Sequence, residues 1–120
     1  ETDLWMLELS TGKIDKMEET NGRYSDSYHS WSSNSQWIAF ASKRDDRVYG
    51  RPYFAHVSQD GSVSKAFLLP QENPEVYLNT FKSYNIPELY NTAEKYDAHE
   101  LQKAYFGKET ENLRYKSIKK

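Results

Sequence analysis

The stretch Trp31-Ser32-Ser33-Asn34-Ser35-Gln36-Trp37-Ile38-Ala39-Phe40-Ala41-Ser42-Lys43-Arg44-Asp45 constrains this chain more than any other. Ser32 to Ser35 are small side chains that satisfy the backbone of a tight turn. Trp37, Ala39 and Ala41 then alternate with Ile38 and Phe40 in an uncharged aromatic and β-branched run. A strand that is apolar on both faces needs cover on both faces. Lys43, Arg44 and Asp45 close it with a charged turn. The pattern predicts a building block and names no reaction.

Turn signals on either side extend the block into a meander. Asp3 to Leu9 reads as a strand, Ser10-Thr11-Gly12 as a turn, and Lys13 to Glu18 as a returning strand. Thr20 to Asp26 is polar and carries Asn21-Gly22, a strong turn signal. Strands are then expected at Ser27–Trp31, Trp37–Ser42, Tyr53–Ser58 and Val63–Leu69, with a charged loop over Lys43–Gly50 and a turn at Gln59-Asp60-Gly61. Four strands joined in this way make an antiparallel meander, the form of one propeller blade. Gly12 and Gly61 end equivalent turns roughly fifty residues apart, a little more than the ~40 to 45 residues of a common blade repeat.

The Trp31–Asp45 stretch resembles the repeat of TolB-type β-propellers, in which Trp-Ser-Pro-Asp-Gly precedes a short apolar strand ending in Phe-x-Ser and a basic-acidic turn. Ser33-Asn34-Ser35 stand here in place of Pro-Asp-Gly, and Asn34 suits such a turn because asparagine visits left-handed backbone readily. Leu4–Glu19 looks like the second half of one copy and Tyr28–Leu69 like a whole copy, so the resemblance covers residues 1–70 and leaves residues 71–120 as a separate C-terminal extension. Lys82-Ser83-Tyr84-Asn85-Ile86-Pro87-Glu88 is similar to a segment that follows propellers in Bacteroidetes envelope proteins. The resemblance implies a mainly β fold of about one and a half blades with a short helical tail. It also implies a periplasmic or cell-envelope location and a non-enzymatic scaffold that binds a protein or glycan partner. An alternative is the propeller portion of a prolyl-oligopeptidase-like hydrolase whose catalytic domain is absent from this chain.

With 120 residues, the chain is too short for a closed propeller. It opens at Glu1 in the middle of a blade, so the expectation is a piece of a trimmed or processed protein, with further blades and any signal peptide upstream. Sixteen Lys and Arg against 18 Asp and Glu leave a formal charge of −2, which provides no basic footprint for nucleic acid. The absence of cysteine excludes a disulfide scaffold, a zinc ribbon and a thiol nucleophile. No apolar run reaches the ~20 residues of a membrane span. Ten tyrosines and three tryptophans against a mean hydropathy of −0.96 make burial depend on amphipathic aromatics. A piece of this kind is expected to leave Trp5, Leu7, Trp37 and Phe40 uncovered. Folding back of Tyr77–Tyr90 would cover part of that surface, and self-association the rest.

Beyond Pro70 the pattern breaks up. Pro74 suits the start of a short helix through Lys82, and Asp97-Ala98-His99-Glu100 is a capping-box-like start for a helix with Leu101, Ala104 and Tyr105 on one stripe and Gly107 as its stop. Lys108–Lys120 is expected to be frayed.

The inventory of reactive groups offers no catalytic residue. His29, His56 and His99 sit in no metal-ligand spacing, and their ordinary reading is as surface or hydrogen-bonded histidines. Ser30, Ser32, Ser33 and Ser35 flank no Gly-x-Ser-x-Gly elbow, so turn chemistry accounts for them. Asp45 and Asp46 beside Arg44 and Arg47 would suit a calcium or anion site, but they lack the Asp-x-Asp-x-Asp spacing and read as a solvated loop of alternating charge. Trp31, Trp37, Phe40 and Tyr53 would serve as a stacking platform or, as the strand placement favours, as blade core. No metal or cofactor follows from any of these residues, and the binding residues stay unassigned.

Overall fold

The computed structural model describes residues 1–93 and 97–107. Six strands and two short helices follow one another: β1 (Trp5–Leu7), β2 (Ile14–Lys16), β3 (Asp26–Trp31), β4 (Trp37–Ser42), β5 (Arg51–His56), β6 (Phe67–Leu68), a 3-10 turn (Pro74–Tyr77) and α1 (Ala98–Phe106). The fold is mainly β, with β1 and β2 forming an antiparallel hairpin and β3-β4-β5-β6 an antiparallel meander in chain order. β4 has its expected bounds, β3 gains Asp26 and β5 is shifted two residues earlier, to Arg51–His56, whereas the outer strands β1, β2 and β6 are shorter than their sequence patterns. β2 keeps three residues of Lys13–Glu18, and Val63 joins the meander only through a single bridge to Val57.

The turn between β3 and β4 shows how the serine-rich segment does its work. The Trp37 N–H donates to Ser32 Oγ at 2.9 Å and the Ser32 N–H to the Trp37 carbonyl at 2.9 Å. The left-handed residue is Ser35, at φ +56, whereas the sequence favoured Asn34. Asn34 instead uses its side-chain oxygen to accept from the Ser32 hydroxyl and the Gln36 N–H, the local bonding that makes asparagine a turn residue. A bulge near Tyr28, itself left-handed at φ +54, adds one residue to β3 between the Ser27–Ala41 and Ser30–Ala39 pairs.

One face of the meander carries Ile38, Phe40, Tyr53, Ala55 and Val57, and Leu4 and Met17 of the first hairpin pack on it, flanked by Met6. This contact buries Phe40 completely, so the expectation that Phe40 lies uncovered is corrected: the half-unit before it supplies the missing layer. Asn21 ties the two ends of the first hairpin together by accepting the Leu4 N–H at 2.8 Å and donating to the Leu4 carbonyl at 2.9 Å.

The opposite face carries Trp37, Ala39, Ala41, Phe54 and His56. Ala39 and Ala41 are buried, and their small side chains let the C-terminal segment approach the sheet. Gly50 lies between Ala41 and that segment, where an added Cβ would stand 3.2 Å from Ser83 Oγ and 3.3 Å from the Tyr84 carbonyl. The Tyr84 N–H donates to the Gly50 carbonyl at 2.8 Å, and Ser30 Oγ donates to the Pro87 carbonyl at 2.9 Å.

Two of the four aromatics assigned to the core are not there. Phe40 and Tyr53 are buried, but Trp37 is 36% and Trp31 41% exposed. Trp37 begins β4 and rests edge-on against His56 and Phe67 with ring centres 5.0 and 6.1 Å away. Trp37→Ala should therefore cost about 1 to 2 kcal/mol, below the ~3 to 5 of an emptied core site. A urea midpoint displaced as far as that of a fully buried site would contradict this placement.

Past Leu69 only one turn of the expected Pro74–Lys82 helix forms, capped by Asn73, whose side chain accepts the Glu75 N–H at 2.9 Å. α1 starts on Asp97, which accepts the Glu100 N–H at 2.8 Å, and buries none of its residues. The expectation for Lys108–Lys120 lies outside the described residues.

Candidate binding surfaces

The loop that reads as solvated alternating charge keeps Asp46 and Arg47 exposed but draws Arg44 inward, which corrects that expectation for Arg44. Arg44 turns inward because the fully buried Asp26 carboxylate offers it a partner at 2.9 Å. Its remaining donors reach the Thr20 carbonyl at 2.8 Å and Ser42 Oγ at 2.7 Å, and the guanidinium lies 4.3 Å from the centre of the Tyr53 ring. Gly22 makes room for it, since a Cβ there would meet Arg44 Nε at 2.9 Å. Asp45 accepts the Tyr53 hydroxyl at 2.9 Å. Burial, reinforced by that bond to a carboxylate, pushes the Tyr53 phenol well above its ordinary range. Arg47 stays at the surface over Tyr24, 4.4 Å from its ring centre.

Arg51, at the start of β5, was missed by the sequence reading. Its buried guanidinium donates to the carbonyls of Tyr77 at 2.6 Å, Lys82 at 3.0 Å and Thr80 at 3.4 Å, and meets Asp46 at 3.3 Å. Of these, the Tyr77 carbonyl is one that a helix continuing to Lys82 would bond internally, and here Arg51 takes it instead. No local sequence signal marks this clasp, because the carbonyls Arg51 bonds lie more than twenty residues downstream.

Burial opposes ionisation of Asp46, but the N–H groups of Tyr49 and Val48 together with Arg51 outweigh it and hold the carboxyl below its ordinary value of 3.8. A depressed folded-state pKa contributes stability that is complete above the unfolded value and disappears as pH falls through the folded one. The tail should therefore loosen in acid below about 3.8, seen as faster exchange of the Tyr84 amide. Asp46→Asn should lose this pH dependence, and an unchanged acid response in the variant would assign it elsewhere.

Between the 43–50 loop and the clasped tail lies a cavity of about 410 Å³ lined by Asp45, Asp46, Tyr49, Tyr77, Leu78 and Phe81, among others. Its size falls within the range of small-ligand pockets. The Tyr49 and Phe81 rings stand 6.0 Å apart, Phe81 is exposed, and the two carboxylates sit beside them. Aromatic faces beside hydrogen-bond acceptors suit a ligand with one apolar and one hydroxyl- or amine-bearing side. A second, narrower groove of about 180 Å³ runs between the hairpin and the meander, lined by Trp5, Leu7, His29, Trp31 and Ile38 among others.

The remaining sequence candidates do not converge. His29 lines the narrow groove, His56 touches Trp37, and His99 lies on α1. Ser30 and Ser33 hold the tail, through the Pro87 carbonyl and Asn91 Oδ1 at 2.7 Å, while Ser32 serves the turn. Among the described residues no three His, Asp or Glu side chains come together as a metal site, and no helix is long and apolar enough to cross a membrane. No family model, curated protein or solved structure matches the chain significantly.

Proposed function

We propose that this chain is a segment of a TolB-type β-propeller from a cell-envelope protein and serves as a non-enzymatic scaffold for a protein or glycan partner. The observation that carries the reading is the stacking of a hairpin on a four-stranded meander, with Leu4 and Met17 against Ile38, Phe40 and Tyr53 and equivalent turns ending in left-handed Gly12 and Gly61. Successive blades of a propeller pack face to face in this way. The loop and tail at the 410 Å³ cavity are the surface such a scaffold presents, because binding residues concentrate on loops held by a rigid sheet.

A panel of envelope glycans and peptides tests the reading, with Tyr49→Ala/Phe81→Ala as the comparison. A ligand retained by the wild type should bind at least tenfold more weakly to the double variant. Esterase, peptidase and glycosidase substrates should show no turnover. Turnover that one serine or histidine substitution abolishes would replace the scaffold reading with an enzymatic one.

A further inference from the structure

The cavity between the 43–50 loop and the tail carries an unbalanced charge. Arg51 is the only lysine or arginine among its described lining residues, and its Nη1 and Nη2 groups are committed to the carbonyls of Tyr77, Thr80 and Lys82 and to the Asp46 carboxylate. Arg51 therefore balances Asp46. Asp45 has no such partner. Its Oδ1 accepts the Tyr53 hydroxyl, and among the described residues no cation stands within ion-pair distance of it. Arg44, its neighbour in sequence, pairs with Asp26 instead.

Aromatic surface lies beside that charge. Phe81 is 86% exposed, and the Tyr49 ring stands 6.0 Å from it. Arg51 already lies 5.2 Å from the Tyr49 ring centre and 5.7 Å from that of Tyr77, so the rings of this wall take a guanidinium within the fold itself. The negative face of an aromatic ring and a carboxylate both favour a cation, and an exposed ring also covers the apolar stem that carries it. A neutral sugar gains nothing from the unbalanced charge.

The rest of the chain points to the same kind of partner. Residues 1–107 carry 16 Asp and Glu against 11 Lys and Arg, a surplus that draws basic proteins in and keeps acidic ones away. Asp45 and Phe81 are both exposed, so a side chain can enter while its backbone stays outside.

We infer that this cavity takes a lysine or arginine side chain of a basic protein partner, with the cation on Asp45 and the stem along Phe81. The inference deepens the scaffold reading, on which it rests for the existence of a partner, and selects protein over glycan.

The probes are Nα-acetyl-lysine methylamide and Nα-acetyl-arginine methylamide, titrated into the full chain at low ionic strength while the Tyr49 and Phe81 signals are followed by NMR. Both should shift those signals, and acetylation of the lysine Nε, which removes the charge, should weaken binding about tenfold. Asp45→Asn keeps an acceptor for the Tyr53 hydroxyl and removes the charge, and it should weaken both probes by a similar factor. Phe81→Ala deletes an exposed ring, should weaken them comparably at the Tyr49 signal, and serves as the test if Asp45→Asn does not fold. Signals that do not move, a neutral probe that binds as well as the charged one, or binding indifferent to the substitutions overturns the inference. A methyl glycoside that shifts these signals where the charged probes do not also overturns it, and leaves the scaffold reading standing with a glycan as partner. Failure of the scaffold reading shows separately, as turnover in the substrate screen.

Discussion

Phe40→Ala is expected to unfold most of this protein at concentrations of urea that leave the wild type folded. Phe40 is fully buried where the hairpin and the meander meet, with the Tyr53 ring 6.2 Å away and the Arg44 guanidinium 5.6 Å above its own ring centre. Emptying such a site costs about 3 to 5 kcal/mol, because the lost transfer energy and the remaining cavity add. Small domains hold only about 5 to 15 kcal/mol in all. The layers here meet over few large side chains, so little can collapse into the void. A urea midpoint for Phe40→Ala no lower than that of Trp37→Ala would show that the two layers do not share a core.

Asp26→Ala should be nearly as damaging for a different reason. The Asp26 side chain is fully buried, and its oxygens accept from Arg44 and from the Gly22 N–H. Its removal leaves the Arg44 side chain, only 17% exposed, without its counter-charge, at a cost of about 3 to 5 kcal/mol. The net worth of the pair is smaller than that figure, since replacing both partners spares the unpaired charge. Asp26→Ala/Arg44→Met should accordingly be less destabilised than the sum of its single variants, with a coupling above about 1 kcal/mol. Strict additivity in chemical denaturation would mean that Arg44 finds water or another partner and that the network is not a unit.

Both residues bear on how the site is held. Arg44 and Asp26 join the inter-unit turn to the end of β4, and Arg51 and Asp46 join the following loop to the tail. The 410 Å³ cavity thus stands on the largely covered Arg44 and on the buried Arg51, which also lines it, and loss of either should change its shape. Arg51→Met is the milder of such changes, because the tail keeps its bonds to Gly50 and Ser30.

Local chemistry determined the meander. Alternation in Trp37–Ser42, the hydrogen-bonding serines before it, and glycines at two of the left-handed turn positions are short-range properties, so strand order and turn placement follow from the chain itself. The cap of α1 belongs to the same class, since Asp97 and Glu100 are three residues apart.

Only the tertiary structure decided which aromatics are core and which groups make the site. Trp37 and Phe40 lie on one strand with equal claims to burial, yet the hairpin covers Phe40 while Trp37, on the opposite face, stays 36% exposed. Arg44 sits in a sequence of alternating charge and becomes interior because Asp26, eighteen residues earlier, is buried beside it. Arg51 is buried because it bonds tail carbonyls more than twenty-five residues away. Periodicity reports the faces of an element but not what covers them, and a charged side chain turns inward only when a distant partner repays its desolvation.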